Sequence, residues 1–209
     1  RISRGQRRQK AVKSPPMRTS NSDTERRKRR HRRRIQIFVV YTAIAIGLAW
    51  FFESQATTTV IFVRHAEKST LPEDDPGLSP AGERRVAELT RQLVDADVVA
   101  GIDAVYSTPF RRTEETVRPI AEALGLTVNS YDAANTEEIM ERIVREHKGK
   151  IILVVGHSNT VPRLIGNMGA SKKVPEIAEN EYDNIYIVSI PWFGKTKTIR
   201  LRYGEPYIP

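Results

Sequence analysis

Cysteine is absent from all 209 residues. That excludes disulfides and thiolate metal sites, while leaving both reducing and oxidising compartments open. No internal repeat is visible, and long apolar runs are scarce, with a single uncharged stretch of 18 residues from Ile35 to Phe52. At 39% apolar residues the chain buries one good core with an appendage and is too short for a second full domain. It begins at Arg1 without an initiator Met, so the natural start is expected upstream.

The net charge of +9 suggests a nucleic-acid binder until the charges are located. Residues 1–34 hold twelve Arg and three Lys against Asp23 and Glu25, a net +13, and the remainder holds 19 basic and 23 acidic residues, a net −4. The basicity therefore belongs to a tail. The tail lacks apolar periodicity and is expected to be disordered, because it has too little to bury to offset the entropy of ordering. It ends in nine consecutive basic residues, Arg26 to Arg34, with no aromatic residue between them to stack on bases. This ranks a membrane-topology role first, contact with anionic lipid second and nucleic acid last; no nucleic-acid partner is expected.

The 18-residue run that follows has no polar face and ends in Trp50, Phe51 and Phe52, where an interfacial aromatic belt would sit. A transmembrane anchor over 35–52 is predicted, making the lipid bilayer a partner, with the basic flank in the cytoplasm and the rest of the chain across the membrane. The rival is a cleaved signal peptide, because Ser54 and Ala56 resemble a small-x-small site; a 34-residue basic leader is far longer than the usual n-region.

From Thr57 onward, strands and helices alternate. Five of the six residues from Thr58 to Val63 are β-branched and the sixth is Phe62, which predicts a buried strand that stops where Arg64 and His65 begin. Ser79 and Pro80 read as the N-cap and first position of a helix with Val86, Leu89, Leu93 and Val94 inward. Ile102 to Tyr106 reads as a second strand. A helix follows with Val117, Ile120, Ala121 and Leu124 inward and Gly125 as its stop, and Pro119 is expected to kink or divide it. Thr127 to Tyr131 predicts a third strand before a helix capped by Thr136. Ile151 to Val155 is the most clearly buried strand and runs into Gly156, His157, Ser158 and Asn159. Ile185 to Ile190 and Thr198 to Arg202 complete an expected α/β domain over 57–209, with helices on both faces of a mainly parallel sheet.

His65 and His157 each follow a hydrophobic strand by one or two residues, at the sheet end where ligands bind in open α/β folds. If the two strands are neighbours, both imidazoles enter one crevice. Arg64 stands beside the first, and Arg111 and Arg112 open the helix after the second strand and can reach the same edge. A cationic crevice backed by helix N-termini suits a phosphate, which guanidinium groups hold bidentately. A neutral imidazole there can attack phosphorus while the other cations stabilise the equatorial oxygens. His147 and the tail's Arg30-His31 have no such setting; Glu67 and Lys68 read equally as cavity mouth or solvated surface, and Arg111 as a surface neighbour of Arg112.

These residues resemble the histidine phosphatase (phosphoglycerate mutase-like) superfamily. Arg64-His65-Ala66-Glu67 is similar to its Arg-His-Gly-Glu signature, with Ala66 in place of Gly, and Leu78-Ser79-Pro80-Ala81-Gly82 to its Leu-Thr-x-x-Gly helix start. Thr108 to Arg112 with Thr116 resembles its Ser-Pro-x-x-Arg...Thr segment, and Gly156-His157-Ser158-Asn159 its second-histidine motif. The resemblance runs from Thr58 to the carboxyl end and implies a compact phosphoglycerate mutase-like fold of the small-phosphatase type. It further implies phosphate-monoester hydrolysis through a phosphohistidine at His65, with Arg64, Arg112 and His157 completing the pocket and no cofactor or metal. The family's acid often sits in an insertion after the third strand that is minimal here, which leaves Asp132 and Glu137 as candidate proton donors. The implied partner is a phosphorylated small molecule or phosphoprotein, and the alternatives are a phosphate-binding interaction module of the same fold or a mutase.

Overall fold

A computed structural model describes residues 21–54, 57–95, 101–170 and 174–208 and divides into two compact units, Arg1–Ala49 and Trp50–Pro209. Helix α1, Asn21–Ser54, supplies the described part of the first unit. Its side chains are exposed from Thr24 to Phe52, so its apolar run packs on no core, and it is long and apolar enough to cross a membrane. The helix takes in the basic run through Arg34, which the sequence reading leaves disordered. Arg and Lys are good helix formers, and once an apolar helix exists each further residue adds a hydrogen bond without a new nucleus. Residues 1–20 of the tail, and Ala56 of the possible cleavage site, lie outside the described residues.

The second unit is built on one six-stranded sheet. Its strands are β1 (Thr57–Arg64), β2 (Ala104–Ser107), β3 (Val128–Ser130), β4 (Ile151–Gly156), β5 (Asn184–Pro191) and β6 (Lys197–Arg202), in the order β3-β2-β4-β1-β5-β6. The first four are parallel, and β5 and β6 run antiparallel at one edge. Side chains alternate between two cores with the strand period of two. Val60, Phe62, Ile152 and Val154 face the core under helices α4 (Thr136–Glu146) and α5 (Thr160–Asn167). Ile61, Val63, Leu153 and Val155 face the core under α2 (Pro80–Val94) and α3 (Arg111–Leu124). The expected α/β sheet with helices on both faces is present.

Local signals explain most helix ends. Ser79 accepts a hydrogen bond from the Gly82 amide at 3.1 Å as the N-cap of α2. Gly125 ends α3 in the left-handed region, φ 65°, a conformation that favours glycine. Two expectations change. Helix α3 runs through Pro119 as one element, because Thr116 and Val117 before it and Ile120 and Ala121 after it are buried. Thr136 is the first residue of α4 and not its cap; its buried hydroxyl accepts from the Asn167 side chain at 3.0 Å, so packing against α5 has taken the group a cap would use.

Candidate active site

The parallel pairing of β1 with β4 puts Arg64 opposite Gly156, and the His65 amide donates to the Gly156 carbonyl at 2.9 Å. The residues just beyond both strands therefore meet, and the rings of His65 and His157 stand 5.3 Å apart. They line a cavity of about 720 Å³ with Arg64, Lys68, Phe110, Arg112, Arg163 and Glu179, backed by Ser158, Asn159 and Thr160 at the start of α5. The strand-to-helix turn is tight at Gly156, where a Cβ would come within 2.8 Å of the Thr160 hydroxyl and 2.9 Å of the Tyr131 hydroxyl.

Each imidazole is held in one tautomer by partners with a single role. The Ala66 carbonyl, 2.8 Å from His65 Nδ1, can only accept, so Nδ1 carries the proton and Nε2 keeps its lone pair. Burial, then the nearby Arg64, His157 and Arg112, outweighs that hydrogen bond and pushes His65 down to about 3. His157 is pushed down to about 4 by burial first and by Arg112 and Arg64 next. Both rings are neutral near pH 7. The Arg112 guanidinium can only donate toward His157 Nδ1, 3.5 Å away, so His157 Nε2 donates to the Thr108 hydroxyl at 3.0 Å. Thr108 in turn reaches the Thr113 hydroxyl at 2.8 Å, and Thr113 donates to the Thr108 and Phe110 carbonyls.

The cations are anchored just as firmly. Arg64 is buried, donates through Nη1 to the carbonyls of Ala178 and Glu181 at 2.7 and 3.0 Å, and stacks 4.1 Å from the Tyr182 ring. Its Nε is buried and has no acceptor among the described residues, which costs about 1–3 kcal/mol. Arg112 stacks on Phe110 at 4.6 Å, and its nearest carboxylate, Asp75, is 3.8 Å away. Two guanidinium groups and an imidazole with a free Nε2 lone pair thus line one cavity. Among the described residues no group of three or more His, Asp or Glu is arranged to hold a metal ion.

A sequence model of the histidine phosphatase superfamily (branch 1) matches residues 60–135, spanning the β1 signature and the helix that carries Arg112. That stretch is similar to the histidine phosphatase superfamily. The matched stretch stops short of His157, which the sheet register supplies. No curated protein sequence matches the chain. The fold is similar to the protein histidine phosphatase SixA in complex with tungstate, at 18% identity and TM-score 0.56, covering 69% of this chain and 96% of that one. It is similar to a mycobacterial glucosyl-3-phosphoglycerate phosphatase, at 12% identity and TM-score 0.55, covering 70% and 98%. It is also similar to a phosphoglycerate mutase from Plasmodium falciparum, at 16% identity and TM-score 0.50, covering 74% and 95%.

Within this domain the structure brings Arg64, His65, Arg112 and His157 together and leaves other candidates elsewhere. Asp132 closes a turn, accepting from the Ala134 amide at 2.9 Å and the Asn135 side chain at 3.2 Å, and does not line the cavity. Glu137 lines neighbouring hollows instead. Arg111 points away to Glu115 at 2.9 Å, Glu67 pairs with Arg85 at 2.7 Å, and His147 meets the Tyr106 hydroxyl at 2.8 Å. Lys68 does line the mouth. Sequence reasoning missed Glu179, Tyr182 and Arg163. The first two sit in an irregular segment before β5 with no periodicity to flag them, and Arg163 reads as an ordinary polar helix position.

Proposed function

We propose that this domain hydrolyses phosphate monoesters through a phosphohistidine formed on His65. The observation that carries the reading is the pair of neutral imidazoles 5.3 Å apart at the ends of paired strands, with two guanidinium groups lining the same cavity. His65 Nε2 attacks phosphorus, the ester P–O bond breaks, and the leaving oxygen takes a proton from an acid. The phosphorylated ring carries positive charge that its Nδ1–H shares with the Ala66 carbonyl. Water then attacks phosphorus, the P–N bond breaks with its electron pair returning to Nε2, and the acid recovers its proton from the water. Arg64 and Arg112 hold the equatorial oxygens, and His157, whose Nε2–H is taken by Thr108, orients Arg112 through Nδ1 in place of the direct contact expected of it.

Glu179, the carboxylate lining the cavity, is assigned as the proton donor ahead of Asp132 and Glu137. The substrate class is a phosphorylated small molecule or a phosphoprotein; the likeness to SixA, named a protein histidine phosphatase, supports the second, and the likeness to glucosyl-3-phosphoglycerate phosphatase supports the first. His65→Ala should abolish both turnover and trapping of labelled phosphate, while chelators leave the rate unchanged. Retained turnover in that variant ends the reading. Glu179→Gln should slow alkyl phosphates by about 100-fold while sparing aryl phosphates with good leaving groups, since general acid catalysis matters most for a poor leaving group.

One observation favours a second reading, a phosphate-binding module with little catalysis: Glu179 is exposed, so burial does not fix its carboxylate over a leaving oxygen. Binding of an activated aryl phosphate without release of its phenol would support that alternative. A mutase would convert added phosphoglycerates into an isomer. For the first unit we propose that residues 35–52 span a bilayer, with the basic flank in the cytoplasm and the domain on the opposite side.

A further inference from the structure

The strands β5 and β6 are joined by a turn whose tip is Trp192-Phe193-Gly194-Lys195. Trp192 is 66% exposed and Phe193 89% exposed, two adjacent large rings that the domain does not bury. Gly194 turns the chain at φ 120°, in a region that favours glycine, and so carries the rings outward. Lys195 closes the tip and Lys197 opens β6. An exposed aromatic pair beside lysines has the composition of an interfacial anchor: rings for the headgroup level, long cationic side chains for anionic lipid.

Register says which bilayer. Pro191, immediately before the tip, pairs with Thr57, the first residue of β1. Phe52, the last residue of the apolar run, is five residues before Thr57, a reach of at most about 18 Å for an extended chain. Within this unit the Phe52 ring stands 5.4 Å from Trp192. If the run spans a membrane, the hairpin tip cannot be far from that membrane's surface. The opposite end of β1 carries Arg64 and the cavity, seven residues on, or about 23 Å at the strand rise.

We propose that Trp192 and Phe193 insert into the headgroup region of the bilayer crossed by residues 35–52, seating the domain with its phosphate cavity away from that surface. This rests on the spanning reading of the first unit. It deepens the substrate class: the cavity meets phosphate monoesters arriving from the aqueous side, not a phosphate borne by a lipid of the same leaflet.

The test uses the full chain in vesicles of phosphatidylcholine with phosphatidylglycerol and a little phosphatidic acid. Trp50→Phe leaves Trp192 as the one indole, since the chain has two Trp. Resistance to an alkaline carbonate wash reports the span. Quenching of Trp192 by lipids brominated near the headgroup, with protection from aqueous acrylamide, reports the tip. Expected are a wash-resistant chain, bromolipid quenching, acrylamide protection and no phosphate released from phosphatidic acid while soluble aryl phosphate is cleaved. A wash-resistant chain whose Trp192 is open to acrylamide and blind to bromolipid overturns the tip and leaves the span. Protection from acrylamide without bromolipid quenching assigns the tip to a protein contact and also overturns it. Release of phosphate from phosphatidic acid overturns the seating, and loss of the chain in the wash removes the span and the proposal together.

Discussion

His65 and Arg30-His31 show how little a residue type says before its surroundings are known. The same Arg-His pair is exposed charge in α1 and a buried, single-tautomer imidazole at the end of β1. The surroundings make a prediction about pH. Burial, and behind it the arginines, holds His65 at about 3 and His157 at about 4, so the proposed nucleophile stays unprotonated well below an ordinary imidazole's range. Once the substrate's second ionisation near pH 6 is divided out, the acid limb of kcat/KM should lie near pH 3–4. A limb near 6.5 in that corrected profile would mean a solvated His65. The same depression works on stability with a definite sign. The unfolded chain takes up protons on both rings as pH falls below about 6.5 while the folded chain does not, so their contribution to stability is full above that pH and is lost on acidification. Denaturant midpoints measured from pH 7 down to 5 should fall, and less steeply in His157→Gln.

The start of α2 shows how an element can be pinned to the site. The Ser79 amide donates to the Glu67 carbonyl at 2.9 Å, and a Cβ on Gly82 would collide with that same carbonyl oxygen, two residues beyond His65. Gly82→Ala should therefore cost about 1–3 kcal/mol through backbone displacement and lower activity along with the melting temperature. Gly166 in α5 is the matched control, because a Cβ there meets nothing within 4 Å. Gly166→Ala should be neutral or stabilise by about 0.5 kcal/mol through a less flexible unfolded chain. Equal losses in the two variants, read by calorimetry, would count against the close-approach argument. The segment before β5 is pinned in a similar way: Arg202 holds Asp183 at 2.7 Å and Glu181 at 3.3 Å, which fixes the carbonyls that hold Arg64.

At the scale of the whole molecule, charge asymmetry and the apolar run bear on where the chemistry takes place. The tail carries a net +13 and the remainder a net −4, with the uncharged run between them. Basic residues flanking a span are retained on the cytoplasmic side. Protease added outside intact cells should digest the domain and spare the tail; digestion of the tail alone would invert the topology.

The apolar helix, the strand that ends at Arg64, the strand that runs into His157 and the inward faces of α2 and α3 were all legible in the chain. Each is a local pattern of hydrophobicity, read as a continuous apolar run or at the helical period of 3.6. The four motifs were legible for the same reason, being short and contiguous. Adjacency was not. That β4 lies between β1 and β2, that Tyr182 slides under Arg64, and that Glu179 and not Asp132 or Glu137 reaches the cavity depend on pairing and packing between residues far apart in sequence. Even the helix through the basic run departed from its local reading, because propagation from a neighbouring helix outweighed composition. Periodicity along a chain encodes which face of an element is buried; which elements become neighbours is decided by how those faces fit together, and the cavity that His65 and His157 line exists only at their junction.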